Sequence, residues 1–187
     1  MKKVISYIFI FVMVIVLSGC TSNKSGINEK KVDLNNTSSI KLNKLNFVMP
    51  NDFEKSKESG DTILFYDLPL TENVKYDLSG CSMMINVTKA YNDDEEDTIE
   101  YEIKREHSNE YFEQDYKIEK KKLNAIEWTY AKVKSKLSEN NSYYIEYVYV
   151  VDYQGNRYFF ELTEYGAGKN RCDNLISKVT NSFKFDK

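Results

Sequence analysis

The sequence predicts an α+β fold in which an antiparallel sheet of about six to seven strands is covered by two main helices. From residue 41 onward, short runs of alternating apolar and polar residues are separated by turn signals, a pattern typical of half-buried strands. Two further segments carry apolar residues at helical spacing. The chain has 187 residues, a length that usually forms one domain with a normal core.

The predicted strands direct alternate side chains to opposite faces of the sheet. In the third strand, Cys81 lies on the more apolar face together with Met83 and Ile85. Pro50-Asn51-Asp52 ends the first strand, and Gln154-Gly155-Asn156 forms a hairpin turn between the last two. The predicted strands cover residues 45–49, 62–66, 81–88, 116–123, 126–136, 142–151 and 157–164.

Two helices are predicted, one in the middle of the chain and one near its C-terminal end. Asp97-Thr98 caps the first helix, and the acidic residues around it favour the positive end of the helix dipole. One stripe of this helix is formed by Ile99, Ile103, His107 and Tyr111. The second helix covers about residues 169–181, and its buried face is formed by Cys172, Leu175, Ile176 and Val179.

The N-terminal segment has the order of a secretory signal peptide: Lys2 and Lys3, an apolar run over 4–17, then small residues. Leu17-Ser18-Gly19-Cys20 resembles the lipobox of bacterial lipoproteins. This resemblance implies that residues 1–19 are removed and that the thiol of Cys20 carries a diacylglyceryl group. The alternative is a retained anchor, but a helix over 4–17 is roughly 21 Å long and the hydrocarbon core is roughly 30 Å thick.

Residues 20–40 are predicted to be a flexible tether from the lipidated cysteine, because they contain few large apolar side chains. Residues 41–187 form the predicted domain. Loss of Lys2 and Lys3 with the signal leaves 24 basic against 29 acidic residues. This acidic balance argues against nucleic acid as a partner and against a second, electrostatic attachment to anionic lipid.

The domain resembles the PsbP-like family, which includes the DcrB-type bacterial lipoproteins. The resemblance covers about residues 41–187 and depends on LNFVMPNDF at 45–53, NAIEW at 124–128 and SFKF at 182–185. Ala125 stands in a turn where other members often have glycine. The family is known for its fold more than for its chemistry, so the resemblance implies a fold and no active-site residue.

The sequence indicates no catalytic residue, no metal site and no cofactor. His107 is the single histidine, and no nucleophile motif accompanies it. The acidic run at 93–97 could hold calcium, but it lacks the glycine and the distant glutamate of an EF-hand loop. It is therefore interpreted as the solvated start of a helix. Neither a phosphate-binding loop nor a GxSxG motif is present.

Tyrosines provide the candidate binding surface. Tyr143, Tyr147 and Tyr149 share one face of a predicted strand, where tyrosine offers a large contact area with a polar tip. The alternative is that this stripe is the core face beneath the helices. The polar loop at 67–79 adds Leu70 and Tyr76, which have no obvious place in a strand.

Cys81 and Cys172 are the two cysteines that remain after lipidation of Cys20. Both lie on predicted inward faces, one on a strand and one in the first turn of the last helix. They form either a disulfide that joins the helix to the sheet or two buried free thiols.

The leading functional hypothesis is a lipid-anchored, non-enzymatic binding or accessory module on the extracytoplasmic face of the bacterial membrane. Its partners would be the membrane, through the anchor, and an unidentified protein or small molecule. The alternatives are an envelope hydrolase that uses carboxylates or tyrosines, and a purely structural lipoprotein. A pocket with convergent titratable groups would favour the enzyme, and an exposed apolar patch would favour the structural role.

Overall fold

A computed structural model describes residues 27–59, 63–106, 112–137, 143–166 and 170–187. The signal segment, Cys20, His107, Tyr111 and the predicted turn at 138–141 lie outside these residues. The strands are β1 (Asn28–Lys30), β2 (Thr37–Leu42), β3 (Leu45–Pro50), β4 (Glu54–Ser59), β5 (Ile63–Asp67), β6 (Val74–Tyr76), β7 (Cys81–Lys89), β8 (Phe112–Asp115), β9 (Ile118–Leu123), β10 (Ile126–Leu137), β11 (Tyr143–Tyr153), β12 (Asn156–Tyr165) and β13 (Lys184–Phe185). The helices are α1 (Glu95–Glu106) and α2 (Asp173–Thr180).

Eight of the described strands form the main sheet, in the order β4-β5-β7-β12-β11-β10-β8, with β9 also paired to β10. Every pairing in it is antiparallel. The β11–β12 hairpin turns at the predicted place, where Gln154 and Gly155 have φ of 50° and 78°. Positive φ at both central residues gives the turn the twist that antiparallel strands need.

The prediction that two main helices cover the sheet is wrong, because the described chain is mainly β. A second sheet, of order β13-β3-β2, lies with α2 against one face of the main sheet, which we call the closed face. The short β1 and β6 form a parallel pair beside it. Strands β1 and β2 begin before residue 41, within the segment predicted to be a tether. These two strands were not predicted because most of their side chains remain exposed, so their sequences are polar and show no alternation.

The closed face contains the larger core cluster, which is rich in aromatic rings. Trp128 is fully buried, and its ring centroid lies 5.0 Å from that of Phe183 and 6.0 Å from that of Phe185. The Asn124 side chain holds this C-terminal segment, because its amide donates to the carbonyl oxygens of Asn181 and Phe183, at 2.7 and 2.9 Å. Ala125 beside it has φ of 71°, the left-handed region that glycine adopts more easily.

The opposite face of the main sheet, which we call the open face, is covered only in part. Ile99 and Ile103 of α1 pack on a small apolar cluster of β10, β11 and β12. The helix begins two residues before the predicted cap, and the Asp94 carboxylate accepts the backbone N–H of Asp97 at 2.8 Å. No described helix combines the length and apolarity needed to cross a membrane.

Arg157 attaches the start of α1 to the open face. Its buried guanidinium donates from Nε and Nη2 to the Asp152 carboxylate, at 2.8 and 2.9 Å, and from Nη2 to the carbonyl oxygen of Asp93, at 2.7 Å. It also donates to the hydroxyl of Thr98. The hydrogen bond with Asp152 raises the pKa of Arg157 above its already high usual value, so the guanidinium stays charged.

Candidate binding groove

Helix α1 leaves part of the open face uncovered, and a groove of about 620 Å³ lies there. We call it the open-face groove. It crosses the main sheet over β5, β7, β12 and β11. Its described lining is Phe65, Asp67, Ser82, Met83, Met84, Tyr144, Glu146, Glu161, Thr163 and Tyr165. The groove is the site on the open face where side chains of both polar and apolar type converge.

The pairing register of the strands explains why these side chains converge in the groove. Tyr144 pairs with Tyr165, Glu146 with Thr163, and Glu161 with Met84. Because side chains alternate along a strand, these partners all project from the same face of the sheet. Their chain neighbours project into the closed-face core instead, so each strand contributes alternately to core and groove.

Three carboxylates line the groove, and its described lining includes no basic residue. Glu146 and Glu161 are buried, whereas Asp67 is exposed at the end of β5. Glu161 accepts a hydrogen bond from the Thr163 hydroxyl at 2.9 Å. All three carboxylates also interact with other groups of the chain, and they supply negative charge to the groove.

Two tyrosines stand at one end of the groove. The rings of Tyr144 and Tyr165 meet edge to face, with centroids 5.4 Å apart and planes at 90°. Met84 and Phe65 supply apolar surface further along it. Carboxylates beside aromatic faces favour a positively charged group with an aliphatic stem, such as the side chain of lysine or arginine.

The predicted tyrosine surface does not form as one exposed patch. Tyr147 and Tyr149 are buried on the closed face, and Tyr76 is buried in the same core. Tyr143 and Leu70 are exposed, on different segments. The stripe along β11 therefore follows the alternative interpretation, a core face, except at its first residue.

Polar groups surround the two buried tyrosines. The Tyr147 hydroxyl donates to the Asp173 carboxylate at the start of α2. The Lys121 ammonium lies 3.1 Å from the Tyr149 hydroxyl oxygen and 4.7 Å from the centroid of the Tyr130 ring. These contacts connect α2 to β9, β10 and β11 rather than leaving a site for a ligand.

Burial sets the acidity of these tyrosines. It raises the pKa of Tyr130 to about 12, with a further contribution from the negative charge of Glu119. It also raises the pKa of Tyr149. The pKa of Tyr147 is raised by burial first and then by its hydrogen bond to Asp173. A tyrosine with a raised pKa stays neutral at physiological pH, which does not suit it to act as a base or nucleophile.

Cys81 and Cys172 form a disulfide, with Cα atoms 6.1 Å apart and a separation of 91 residues along the chain. It joins the start of β7 to the residue before α2. Beside it, the fully buried Glu164 carboxylate accepts the backbone N–H groups of Arg171 and Cys172, at 3.2 and 3.3 Å. These groups fix the N-terminal end of α2 on the closed face.

Within the described ranges, no group of three or more histidine, cysteine, aspartate or glutamate side chains could hold a metal ion. A smaller cavity of about 370 Å³ near the start of α1 is acidic, and Lys120 also lines it. The Lys120 ammonium lies 3.4 Å from the Glu95 carboxylate. This contact ties β9 to α1 and has the character of a surface ion pair.

Sequence reasoning missed Asp67, Glu146 and Glu161 as groove residues. A signal was present, because glutamate interrupts an otherwise aromatic and β-branched run in both β11 and β12. A charged residue in the middle of a buried strand needs a partner or a cleft. Tyr147 and Tyr149, which were predicted as a binding surface, project from the other face of β11.

These features define a class of protein in which a large antiparallel sheet is covered on one face and carries a groove on the other. Among solved structures, this fold is shared by the Saccharomyces cerevisiae Ran-binding protein Mog1p, at 10% identity and a TM-score of 0.58, over 80% of this chain and 95% of that one. It is also shared by cyanobacterial PsbP (CyanoP) from Synechocystis sp., at 12% identity and a TM-score of 0.57, over 81% and 93%.

The predicted PsbP-like domain is thus confirmed at the level of fold. At such low identity the likeness shows the fold alone. No protein-family model matches the sequence, and a search of curated proteins found no match.

Proposed function

We propose that this chain is a lipid-anchored binding module of the bacterial cell envelope, which holds a positively charged segment of a partner protein in the open-face groove. The observation that carries the proposal is the groove itself. It combines three carboxylates with two tyrosines and has no basic residue in its described lining. The proposal depends on the position and charge of these groups, not on their lacking partners.

Two features support the location. Leu17-Ser18-Gly19-Cys20 resembles a lipobox and follows a short apolar segment. The Cys81–Cys172 disulfide suits an oxidising compartment outside the cytoplasm. Two acyl chains on Cys20 would hold the protein stably at the membrane, whereas one chain would hold it only marginally.

The fold supports protein binding by analogy. Mog1p, which shares it, is a Ran-binding protein. The acidic groove is formed by residues of this chain and is independent of this analogy. It should attract a basic partner, and this attraction should weaken as salt concentration rises.

The test uses the full mature protein in detergent and a short fluorescein-labelled peptide of alternating lysine and glycine. Fluorescence anisotropy should show binding of this peptide but not of its glutamate counterpart. Glu146→Gln and Glu161→Gln should each weaken binding about twofold to fivefold, the range for a partly solvated charge pair. Circular dichroism verifies that each variant folds.

Glu127→Gln is the matched control, because Glu127 is exposed on the neighbouring β10 and lies outside the open-face groove. Equal weakening by Glu127→Gln would reduce the interaction to general charge attraction and overturn the groove assignment. Turnover of an ester, peptide or glycoside substrate that Glu161→Gln abolishes without unfolding would instead establish the hydrolase alternative.

Mass spectrometry of the protein extracted from membranes tests the anchor. The mature chain should begin at Cys20 and carry the mass of a diacylglyceryl group. An intact segment 1–19, or an unmodified Cys20, would contradict the anchor while leaving the peptide-binding result unaffected.

A further inference from the structure

One end of the main sheet gathers most of the exposed large apolar side chains of the described residues. At this end β5 and β12 finish, while β7 and β11 begin, because neighbouring strands are antiparallel. Backbone hydrogen bonds confirm the closeness: the Tyr165 N–H donates to the carbonyl oxygen of Gly80 at 2.7 Å, and the Gly166 N–H donates to that of Tyr143 at 3.1 Å. We call this the tether end.

Four exposed side chains lie at the tether end. Leu70 is 76% exposed in the connection from β5 to β7, and Ile27 is 61% exposed directly before β1. Tyr143 and Tyr165 are exposed where β11 begins and β12 ends. Of the described chain's other exposed large apolar residues, Tyr91 follows β7 at the opposite end of the sheet and Tyr101 lies on α1.

Ile27 and Leu70 belong to the same part of the molecule. Strand β1 pairs with β6, which lies inside the connection from β5 to β7, and Asn28 is opposite Val74. The Asn28 N–H donates to the carbonyl oxygen of Asn73 at 3.1 Å. Thr71 forms a bridge with Val74, which brings the chain just after Leu70 towards the start of β1.

The anchor cysteine lies close to this end along the chain. Only residues 21–26 separate Cys20 from Ile27. Seven steps of extended chain span at most roughly 25 Å, so the covalent geometry places Ile27 within that distance of a lipid attached to Cys20. Exposed aliphatic side chains at the point of attachment would meet the bilayer before any other part of the domain.

We propose that the tether end rests on the outer surface of the cell membrane, with Ile27 and Leu70 inserted into the lipid and Tyr143 and Tyr165 at the level of the headgroups. The inference rests on the proposed anchor at Cys20. Aliphatic side chains enter the boundary of the acyl region, and tyrosine suits the interface because its ring is apolar and its tip polar. The open-face groove shares Tyr165 with this end, so its occupant would be held beside the bilayer.

The test places a fluorescent probe at the tether end and at its opposite. Leu70→Trp is compared with Tyr91→Trp, since Tyr91 is similarly exposed, at 71%, and lies at the other end of the sheet. The full mature protein, extracted from membranes, is reconstituted into phosphatidylcholine vesicles whose acyl chains carry bromine. Trp128 is fully buried on the closed face and provides the unquenched background in the unsubstituted protein.

Brominated lipid should quench the Leu70→Trp emission severalfold more strongly than the Tyr91→Trp emission. Equal quenching of the two probes, or none at Leu70→Trp, would overturn the proposed orientation. A blue-shifted Leu70→Trp emission without quenching would show that protein, a second copy or another partner, covers this end, and would also overturn it.

Mass spectrometry of the same vesicle fraction separates the two proposals. A lipidated Cys20 with no preferential quenching leaves the anchor standing and removes the orientation. An unmodified Cys20 removes both, because the orientation depends on the short link between Cys20 and Ile27.

Discussion

The two faces of the main sheet differ in what covers them. The closed face lies beneath a second sheet, α2 and a disulfide, and its core includes Trp128, Phe160 and Phe183. The open face has α1 over one part and a groove with three carboxylates over another. One layer of strands therefore serves packing on one side and, by our proposal, recognition on the other.

Neighbouring residues on one strand have different roles, because one packs in the core and the next lines the groove. Phe160 is fully buried in the closed-face core, while the next residue, Glu161, lines the groove. The same alternation separates Tyr147 from Glu146 on β11. Substitutions on the closed face should change stability, and substitutions in the groove should change binding with a smaller effect on stability.

The largest expected effect comes from the disulfide of the closed face. Replacing Cys81 and Cys172 together with alanine should lower the free energy of unfolding by about 4–5 kcal/mol, because a bridge over so long a loop restricts the unfolded chain. Urea unfolding followed by circular dichroism measures the loss. Reductant should bring the unsubstituted protein to the same midpoint, and a loss below about 1 kcal/mol would show that the bridge contributes little.

A smaller and sharper contrast is available from two adjacent methionines of β7. Both border the groove, but Met83 is buried in the closed-face core, whereas Met84 is half-buried on the open face. Met83→Ala should cost about 3 kcal/mol of unfolding free energy, and Met84→Ala about 1 kcal/mol or less, because less apolar surface is lost. Equal costs in urea unfolding would contradict the division between the two faces.

The next effect concerns Arg157, which attaches the start of α1 to the open face. Arg157→Met should lower the free energy of unfolding by about 2 kcal/mol, since hydrogen bonds to charged partners are lost and Asp152 loses its counter-charge. Amide hydrogen exchange should accelerate in α1 before it does in the sheet. Lys104→Met, which removes only an exposed ion pair with Glu100, should change stability by no more than about 0.5 kcal/mol.

A further effect, which depends on pH, is expected on the closed face under alkaline conditions. Tyr130, Tyr147 and Tyr149 have raised pKa values in the folded protein, about 12 for Tyr130, against about 10 in an unfolded chain. The folded state therefore binds more protons above about pH 10, so stability is constant below that value and falls as pH rises towards about 12. Urea midpoints across this range, with absorbance titration of tyrosinate, measure the decline.

Tyr130→Phe should make this decline shallower, because it removes one of the titrating groups. Tyr101→Phe on the exposed side of α1 is the control and should leave the slope unchanged. Stability that rises between about pH 10 and 12 would contradict the effect of burial on these tyrosines.

Periodicity predicted the closed face well wherever apolar residues alternate. The prediction of a strand over 81–88 with Cys81 directed inward agrees with β7, and the stripe through Leu175, Ile176 and Val179 is buried in α2. The turn at Gln154-Gly155-Asn156 is likewise present. These elements could be predicted because each buries one regular face of its own sequence.

What sequence reasoning missed depends on partners far along the chain. Strand β2 is polar, and only its pairing with β3 makes it a strand. The groove is assembled from β5, β7, β11 and β12, whose alignment depends on register that no single segment encodes. Charged residues within β11 and β12 were the available clue, and their convergence follows from the topology.

The pairing of β3 with β13 constrains the order in which the protein can be completed. Asn46 and Lys184 are opposite each other, although 138 residues separate them, and Phe183 packs on Trp128 beside this pair. Segment 183–186 is synthesised after every other described strand. Strands β2 and β3 cannot complete the second sheet until this segment is available, so the closed-face core forms only then. Folding is then a late event governed by a contact of long sequence separation, which is an intrinsically slow kind of step.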